Sequence, residues 1–381
     1  MKFIDEFRDR ELARGLAAAI RQAAQPQRDY HFMEFCGGHT HAIARYGVSD
    51  LLPANVRMIH GPGCPVCVLP IGRIDMAIRL AVDEGVILCS YGDPLRVPAS
   101  GGLSLLRAKA ALGGSGEIRM IYSGADALCL AQQNPQRQVV FFAIGFETTT
   151  PPTAVVIRQA RALGLKNFSV LCCHVLTPAA IASILESPEV RQWGSVRLDG
   201  FIGPAHVSTI IGSRPYEFFA AEYRKPVVIA GFEPLDVMQA VLMLIAQVNA
   251  GRAVVENEFA RAVTREGNRK AQQLVAEVFE LRRSFAWRGL GELPYSALRI
   301  RREFADFDAE CRFPISYEAV PDHPACECGA VLRGARRPQD CRIFGSVCTP
   351  ENPVGSCMVS SEGACAAHYS FGRFADAAVA P

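Results

Sequence analysis

Short apolar segments alternate with helical patterns over most of the chain, and this alternation limits the possible folds more than any other feature. Seven such segments run into loops rich in Gly, Pro or acidic residues: VRMIHGPG, GVILCSYGD, EIRMIYSG, QVVFFAIGFE, FSVLCCHV, LDGFIGPAH and KPVVIAGFEP. Most lead into a helical pattern, as strands do in parallel α/β units, where functional loops follow the strand carboxyl ends. We therefore expect an α/β fold whose parallel sheets are buried on both faces.

Three loop sequences recur in the same order along the chain. The pairs are Cys36–Ile43 with Cys173–Ile181, Gly61–Cys64 with Gly203–His206, and Gly92–Leu95 with Phe232–Leu235. Chance similarity between short Gly- and Pro-containing loops is the alternative explanation. Three matches in one order instead predict two similar parallel-sheet α/β domains that face a cleft, which is the natural place for a site.

The expected domain limits follow from these patterns. An N-terminal helix at 1–30 is expected to pack on the third domain, and the two α/β domains are expected at 31–122 and 123–240. The third domain, 241–381, begins with helical patterns and loses periodicity after Trp287, where Gly, Pro, Arg and Cys dominate. A segment with so little regular pattern needs another source of order, which a bound metal can supply.

Composition excludes several classes of function. A net charge of +2 argues against nucleic-acid binding and against a polybasic membrane contact. No apolar run approaches the ~18 residues of a membrane span, and the charged start does not resemble a signal peptide. We therefore expect a cytoplasmic protein, in which fourteen cysteines indicate metal binding or catalysis more than a disulfide framework.

The first chemical motif is the CxxC pair Cys64 and Cys67, in the sequence GPGCPVC. The pattern places it after a strand and at the start of a helix, where the helix dipole lowers the pKa of the first thiol. Such a pair can shuttle two electrons or hold a soft metal. Two buried cysteines in a turn, or half of a zinc site, are the alternatives.

The second motif places Cys36, His39 and His41 within six residues, in the sequence CGGHTH. Paired glycines allow the backbone to approach a ligand closely, and one thiolate with two imidazoles is a donor set suited to iron or zinc. The alternative is that the histidines cap a helix or lie in the core. Which histidine binds and which orients stays open.

Acidic residues at strand ends are further candidates. Glu147 in the loop GFETTTPP is a possible acid, base or hydrogen-bond partner of a cysteine, although helix capping by the threonines explains much of this loop. Asp93 and its counterpart Glu233 are equally consistent with turn formation and with a place in the site.

The third cysteine motif is the most specific in spacing. Six cysteines lie within forty residues: Cys326, Cys328, Cys341, Cys348, Cys357 and Cys365. Iron-sulfur clusters take four thiolates, so two of the six are spare. A structural zinc is the alternative, but zinc ribbons use two CxxC knuckles and this spacing differs.

At these motifs the sequence resembles the HypD family of hydrogenase formation proteins. The matching blocks are FCGGHTHAIARYG, IHGPGCPVCVLP, YGDPLRVP, GFETTTP, GFIGPAHVSTIIG, CECGAVLRG and DCRIFGSVCTPENPVGSCMVSSEGACAAHY. The resemblance implies a maturation scaffold for [NiFe] hydrogenase, on which the Fe(CN)2CO unit is assembled with a HypC-type chaperone and a HypE-type cyanide donor.

The resemblance also implies roles for particular residues. Cys36 would ligate the iron together with a cysteine of the chaperone, Cys64 and Cys67 would be the adjacent redox pair, and His39 an essential neighbour. A C-terminal [4Fe-4S] cluster would relay electrons to the pair. The ligands implied for it are Cys341, Cys348 and Cys365 with Cys326 or Cys328, of which we favour Cys326, while Cys357 is spare.

A free-standing, iron-sulfur-dependent thiol-disulfide reductase is the main rival hypothesis. It would use the same cysteine pair and cluster, but it would turn over without iron at Cys36. A binding module with two structural zinc sites is the third reading.

Overall fold

The computed structural model describes residues 5–111, 116–192, 194 and 196–372. Residues 1–4 and 373–381, the outer ends of the expected first and last domains, lie outside the described residues. Within the described ranges, every helix is too short or too polar to cross a lipid bilayer.

The strands are short, as expected for α/β units. In chain order they are β1 (Tyr30–Glu34), β2 (Val56–His60), β3 (Ile87–Ser90), β4 (Glu117–Met120), β5 (Val139–Gly145), β6 (Phe168–His174), β7 (Gly200–Gly203), β8 (Val227–Ile229), β9 (Val255–Asn257), β10 (Phe279–Leu281), β11 (Ser284–Trp287), β12 (Gly291–Pro294) and β13 (Leu298–Ile300).

Helices connect nearly all of these strands. They are α1 (Arg10–Ala23), α2 (Gly37–Arg45), α3 (Val48–Leu51), α4 (Ile71–Val82), α5 (Leu105–Ala111), α6 (Gly124–Gln133), α7 (Thr150–Ala162), α8 (Thr177–Glu186), α9 (Pro188–Arg191), α10 (Ala205–Ile211), α11 (Glu217–Tyr223), α12 (Pro234–Asn249), α13 (Arg269–Val278), α14 (Ala309–Arg312), α15 (Cys328–Leu332) and α16 (Ala364–Phe371). Short 3-10 helices lie at Asp5–Arg8, Asp93–Arg96, Ser100–Gly102, Arg214–Tyr216, Arg302–Phe307, Pro338–Asp340 and Ser356–Met358.

Two parallel sheets form the body of the protein, so the predicted α/β class with two parallel-sheet domains is confirmed. The five-stranded sheet has the order β2-β1-β7-β8-β9, and the four-stranded sheet has the order β4-β3-β5-β6. Every pair of neighbours in these sheets runs parallel. Two antiparallel pairs, β10 with β13 and β11 with β12, follow in the later part of the chain.

The sheets do not group the strands by sequence order. The chain leaves the five-stranded sheet after β2, builds the whole four-stranded sheet from β3 to β6, and returns at β7. The expected limits of 31–122 and 123–240 therefore divide both sheets, because the boundary at 122 separates β4 from β5. Strand patterns locate strands, but they do not specify partners that lie far away in sequence.

Apolar side chains cover both faces of both sheets. Residues of α1 and α12 form a core on one face of the five-stranded sheet, and α8 and α11 contribute to the core on the other. On the four-stranded sheet, one core includes α6 and α7 and the opposite one includes α4 and α5. Strands β5 and β6 are buried along their full length, as a parallel sheet with two covered faces requires.

The N-terminal helix α1 packs against α12, which covers the five-stranded sheet. Helix α12 begins at Pro234, ahead of the expected limit at 241. Helix α1, which packs against it, therefore belongs with this sheet and not with the cysteine-rich segment. Several C-terminal cysteines lie in the same apolar core as Cys64 and Cys67, so the cysteine-rich segment packs close to the CxxC pair.

Candidate functional site

The loop that carries Cys36 leaves the carboxyl end of β1 and leads directly into α2. Cys36 has extended backbone dihedral angles and precedes the first helical residue, Gly37. The Gly37 amide donates to the Gly63 carbonyl at 3.0 Å. A Cβ at Gly63 would lie 2.5–2.7 Å from backbone atoms of Cys36, so only glycine allows the second loop to approach this closely.

The Cys36 thiol is buried, with 6% of the residue exposed. Burial raises the pKa of this thiol to about 12, and the nearby carboxylates of Glu362 and Glu34 raise it further. Backbone hydrogen bonds from Gly38 and His206 act in the opposite direction. His206 ends the sequence Gly203–His206, which repeats Gly61–Cys64, so the segments after β1, β2 and β7 meet around one sulfur.

Glu34 is a fully buried carboxylate at the end of β1. One oxygen accepts a hydrogen bond from the Cys36 amide at 2.9 Å. The other accepts from the Thr40 hydroxyl and lies 2.9 Å from Nδ1 of His60. The carboxylate therefore fixes both the start of the Cys36 loop and the first turn of α2.

His39 points into the protein interior and is fully buried. Its Nε2 donates towards the carbonyls of Ala230 and Gly231, at 3.1 and 2.9 Å, in the loop that follows β8. Its Nδ1 has no hydrogen-bond partner among the described residues. Burial lowers the pKa of His39, so the imidazole is neutral and Nδ1 offers a free lone pair.

Cys64 and Cys67 form a disulfide bond with their Cα atoms 5.3 Å apart. Both are buried, at 3% and 1% exposure. The expected helix start at this pair is wrong, because α4 begins only at Ile71, after Pro70. The pair lies in a turn, where the Cys67 amide donates to the Cys64 sulfur at 3.2 Å, so no helix dipole acts on it at its own position.

A cavity of about 410 Å³ opens beside the disulfide. Its walls combine the CxxC turn, the loop after β3, the loop after β5 and a C-terminal segment. The residues that line it include Cys64, Asp93, Thr149, Ser361 and Glu362. The cavity therefore joins the carboxyl ends of the two sheets, and of the acidic residues predicted from sequence it contains Asp93.

The segment before α16 covers the Cys36 loop. A Cβ at Gly37 would overlap the Glu362 side chain, and His41 Nδ1 lies 3.4 Å from the Ser361 carbonyl. His41 also makes an edge contact with the Phe371 ring. His41 therefore contacts the C-terminal segment, whereas His39 contacts the five-stranded sheet.

Ser356 links the cysteine-rich segment to the CxxC turn. Its buried hydroxyl donates to the Cys67 carbonyl at 2.6 Å. The residue that follows it, Cys357, belongs to the C-terminal thiol group. The hydrogen bond from Ser356 to Cys67 and the peptide bond from Ser356 to Cys357 thus connect the two groups of cysteines.

Glu147 does not line the cavity beside Cys64. Its oxygens accept hydrogen bonds from the Thr177 amide and hydroxyl at 2.9 and 3.0 Å, where α8 begins. Burial raises the pKa of Glu147 to about 7, against the opposing effect of these hydrogen bonds. The structure gives Glu147 a part in joining β5 to α8 through Thr177.

Glu233, the counterpart of Asp93, caps α12. Its side chain and that of Asp236 form a reciprocal capping box, and it also binds Arg8. Glu233 lines a separate cavity of about 290 Å³, together with Gly38 and Phe232. The two related acids therefore line two cavities that share Ser361 and Glu362 in their walls.

Four C-terminal thiols are in direct contact. The Cys328 thiol forms hydrogen bonds with those of Cys326, Cys357 and Cys365, and Cys357 also bonds to Cys365. Cys357, which the sequence analysis sets aside as spare, thus lies among them. Spacing along the chain does not reveal this, because Cys357 reaches the group through the turn at Ser356–Met358.

The remaining two cysteines lie beside this group. Cys348 is close enough to Cys326 and Cys341 for their charges to raise its pKa, after the larger effect of burial. Hydrogen bonding from Cys328 lowers the pKa of Cys326 to about 7, and Arg288 lowers it further. Cys326 is therefore close to both subsets and is readily ionised.

Thiolate donors are the ligands that an iron-sulfur cluster requires. Among the described residues, no three histidine, cysteine or acidic side chains are arranged around a single metal ion. The number and type of donors nevertheless fit a cluster, because six thiols converge and one of them ionises near neutral pH. These thiols therefore suit a cluster that several thiolates bind, and they do not suit a site that encloses a single metal ion.

Four residues of the site were not predicted from sequence. They are Glu34, His60, Glu362 and His368. A signal exists for Glu34, since an acid inside an apolar strand two residues before a cysteine is unusual. His60, Glu362 and His368 gain their significance only from contacts between distant segments.

Comparisons with known proteins agree on one family. The HypD family profile, described as the hydrogenase formation hypA family, matches residues 11–372. The hydrogenase maturation factor HypD of Cupriavidus necator is 71% identical over 376 residues, which cover 99% of this chain and 98% of that protein. This chain belongs to the HypD family of hydrogenase maturation factors.

More distant HypD relatives match over the same length. The hydrogenase expression/formation protein HupD of Azotobacter chroococcum is 65% identical, covering 100% of this chain and 99% of that protein. HypD of Escherichia coli is 45% identical, covering 97% and 98%. The resemblance stated from sequence motifs is confirmed, and the HypD match includes both sheets and the cysteine-rich segment.

Proposed function

We propose that this protein is a scaffold on which the Fe(CN)2CO unit of a [NiFe] hydrogenase is assembled in the cytoplasm, with Cys36 as the iron ligand. The observation that carries the proposal is the packing of the Gly63 backbone directly against the Cys36 backbone. In this proposal, the contact supports an iron-binding role for Cys36 beside a disulfide that can exchange two electrons. A protein that only binds iron has no need for a disulfide beside the iron-binding thiol.

Cys36 is suited to hold iron that is itself the cargo. Its thiol stays protonated at neutral pH when no metal is bound, because the pKa is about 12. Iron binding releases this proton, and the thiolate then donates electron density that supports CO and cyanide as ligands. His39 Nδ1 is a neutral acceptor in the same part of the site, available to take a hydrogen bond during loading.

The CxxC pair supplies redox equivalents. Reduction of the Cys64–Cys67 disulfide takes up two electrons and two protons and yields two thiols; reoxidation returns them. The cavity of about 410 Å³ gives small reactants access to Cys64, and Asp93 and Glu362 are the acids on its walls. Both sulfurs are too buried for a bulky partner to reach them without movement.

The C-terminal cysteines supply a site for a [4Fe-4S] cluster. We propose Cys326, Cys341, Cys348 and Cys365 as its ligands, with Cys328 as the alternative to Cys326. When bound, such a cluster exchanges single electrons. The low pKa of Cys326 favours its choice, because ligands bind as thiolates. Ser356 brings this segment into hydrogen-bond contact with Cys67.

The proposal includes two protein partners. A HypC-type chaperone would contribute a second cysteine to the iron, and a HypE-type protein would supply cyanide. The cavity of about 290 Å³ lined by Gly38, Phe232 and Glu233 reaches the turn of α2 that follows Cys36, and Cys64 is not among the residues that line it. A partner's ligand can therefore approach without displacing Cys64.

Infrared spectroscopy of the anaerobically purified complex with the chaperone tests this function. Wild-type protein should show cyanide and carbonyl stretching bands, and Cys36→Ser should lose them while keeping the visible thiolate-to-iron absorption. Cys129→Ser removes an exposed cysteine on α6 and should keep both signals. Cyanide and carbonyl bands that persist in Cys36→Ser would contradict the proposal.

A thiol-disulfide reductase remains the second candidate, because the protein contains a CxxC disulfide. It would reduce a small disulfide at a rate that does not depend on Cys36. Equal turnover by wild-type protein and Cys36→Ser would favour the reductase. Absence of turnover in both proteins would favour the scaffold.

A further inference from the structure

A continuous chain of hydrogen bonds runs from the protein surface to the carboxylate beneath Cys36. Gln339 Nε2 lies 2.9 Å from Nδ1 of His368. The Nε2 atoms of His368 and His60 are 3.0 Å apart, and Nδ1 of His60 is 2.9 Å from Glu34 Oε1. The proposed function does not use either histidine.

The groups at the two ends fix the direction of every bond in this chain. The Gln339 amide nitrogen only donates, so His368 Nδ1 accepts and its Nε2 carries the proton. The Glu34 carboxylate only accepts, so His60 Nδ1 carries a proton and its Nε2 accepts. The two imidazoles are therefore complementary neutral tautomers joined by one N–H···N bond.

The surroundings keep the His368 imidazole neutral. Burial lowers the pKa of His368 to about 4, and the charges of His60 and Arg337 lower it further. The rings meet edge to face with their centroids 5.1 Å apart. A second proton on the pair would place two donors against each other, which this geometry does not accommodate.

We propose that His60 and His368 are positioning residues for Cys36, which they influence through Glu34. Glu34 accepts from the Cys36 amide and the Thr40 hydroxyl, so its orientation decides where the Cys36 loop lies. His368 is on α16, in the cysteine-rich segment, and His60 ends β2. The chain thus ties the position of the iron-binding loop to the docking of the C-terminal segment.

This inference rests on the proposed role of Cys36 as iron ligand, but its tests do not require iron. The first uses wild-type protein labelled with ¹⁵N-histidine. We expect the His368 Nε2 proton to exchange slowly and to show scalar coupling across the hydrogen bond to His60 Nε2. Absence of this coupling in the folded protein would overturn the inference.

The second test measures alkylation of Cys36 by iodoacetamide, followed by peptide mass spectrometry with the Cys64–Cys67 disulfide intact. His60→Phe or His368→Phe should raise the rate roughly tenfold, the scale set by one lost hydrogen bond to a charged group. The double variant should be no faster than His60→Phe, because both residues act through Glu34. Additive effects of the two variants would overturn the inference.

Conservative rescue and internal controls separate positioning from loss of folding. His60→Gln keeps a donor towards Glu34, so its Cys36 rate should stay within about threefold of wild type. His31→Phe changes a histidine at the opposite end of β1 and should also leave the Cys36 rate unchanged. Cys172 in the core of the other sheet reports unfolding. Parallel acceleration of Cys172 and Cys36 would count against a positioning role.

Iron loading then distinguishes this inference from the function on which it rests. If His368→Phe raises the alkylation rate and also shifts the cyanide bands, both hold. If alkylation responds but wild-type protein shows no cyanide bands, the proposed function fails and the positioning of Cys36 stands.

Discussion

The two groups of cysteines in this protein are held in different ways. Cys36, Cys64 and Cys67 lie on loops at the carboxyl ends of parallel strands, and a backbone-to-backbone contact at Gly63 sets their positions. The six C-terminal cysteines lie among short helices and turns, and four of them contact one another through sulfur atoms. The first group is preformed by the sheets, whereas the proposed function makes the second depend on a cluster that its thiols bind.

Removal of iron should give the largest difference between the two groups. We expect amides between Cys326 and Cys348 to lose protection from hydrogen exchange by at least roughly 100-fold in iron-free protein, because metal-binding energy stabilises such a segment directly. Amides of β1 and β8 should change by less than about threefold, since the apolar cores on the two faces of the five-stranded sheet contain no C-terminal cysteine. Mass spectrometry of exchanged peptides measures both.

Equal loss of protection in the sheets and the cysteine-rich segment would break this comparison. It would mean that the cysteine-rich segment and the sheets unfold as one unit. Reconstitution with iron and sulfide is the control and should restore the original exchange pattern.

Glycine substitutions should separate the groups next. Gly63→Ala forces a Cβ to within 2.5–2.7 Å of the Cys36 backbone, which cannot move without shifting β1 and α2. We expect a loss of about 3 kcal/mol or more in the free energy of unfolding, with or without iron. Chemical denaturation of the oxidised protein measures it.

Gly355→Ala is the matched variant in the second group. Its Cβ would meet the sulfurs of Cys326 and Cys328, side-chain atoms that the proposed cluster would hold in place. The cost should therefore be smaller in iron-free protein than in loaded protein. Gly15→Ala in α1 meets no atom within 4 Å and should stabilise slightly, by up to about 1 kcal/mol. A Gly63→Ala cost that appears only with iron would contradict the preformed loop.

Much of the fold follows from the sequence, because local patterns determine it. Apolar segments with Gly or Pro at their ends identify seven of the nine strands in the two sheets, β2 to β8, whereas β1 and β9 were not among the predicted segments. The prolines at 151 and 152 correctly indicate the start of α7. The partners of those strands were not predictable, since the return of the chain to the first sheet at β7 depends on contacts across more than a hundred residues.

For the site, too, the sequence shows the residues in local motifs and does not show the contacts between distant segments. The motifs identify Cys36, Cys64, Cys67 and Asp93, because glycine and cysteine in strand-end loops carry a chemical signal. The helix expected at Cys64 was wrong because two prolines, Pro65 and Pro70, delay it to Ile71. Glu362 and His368 lie about three hundred residues after the Cys36 motif. Nothing in the sequence around them shows that their segment covers this motif.

The pH dependence of stability should show that the buried carboxyl group of Glu147 titrates independently of the cysteines. Burial raises the pKa of Glu147 from 4.5 to about 7, so the folded protein binds more protons than the unfolded chain between these values. Stability is therefore favoured below pH 4.5 and falls as pH rises through 7. We expect a loss of roughly 2.5 kcal/mol between pH 5 and 8.

The Glu147→Gln variant tests this assignment. It should flatten the pH dependence of the free energy of unfolding by the same amount, in both iron-free and loaded protein. An unchanged pH profile would show that Glu147 is already ionised in the folded state. A profile that changes only after iron loading would instead couple Glu147 to the cysteine-rich segment.

Ser356→Ala should give the smallest effect and the most direct information, because Ser356 joins the two groups. Its buried hydroxyl donates to the Cys67 carbonyl at 2.6 Å, and alanine leaves that carbonyl without this donor. We expect a loss of about 1–2 kcal/mol in the free energy of unfolding. Ser361→Ala, in a nearby position on the cavity wall, is the control and should cost less.

The redox consequence of Ser356→Ala separates two views of the contact. If the hydrogen bond serves only packing, the rate at which a reduced C-terminal cluster reduces the Cys64–Cys67 disulfide should stay as in wild type. If the contact sets the distance between the two groups, that rate should fall while the potential of each group stays constant. Stopped-flow absorbance after anaerobic reduction measures this rate. A shift in the reduction potential of either group would mean that Ser356 acts on the thiols themselves and not on the distance between the groups.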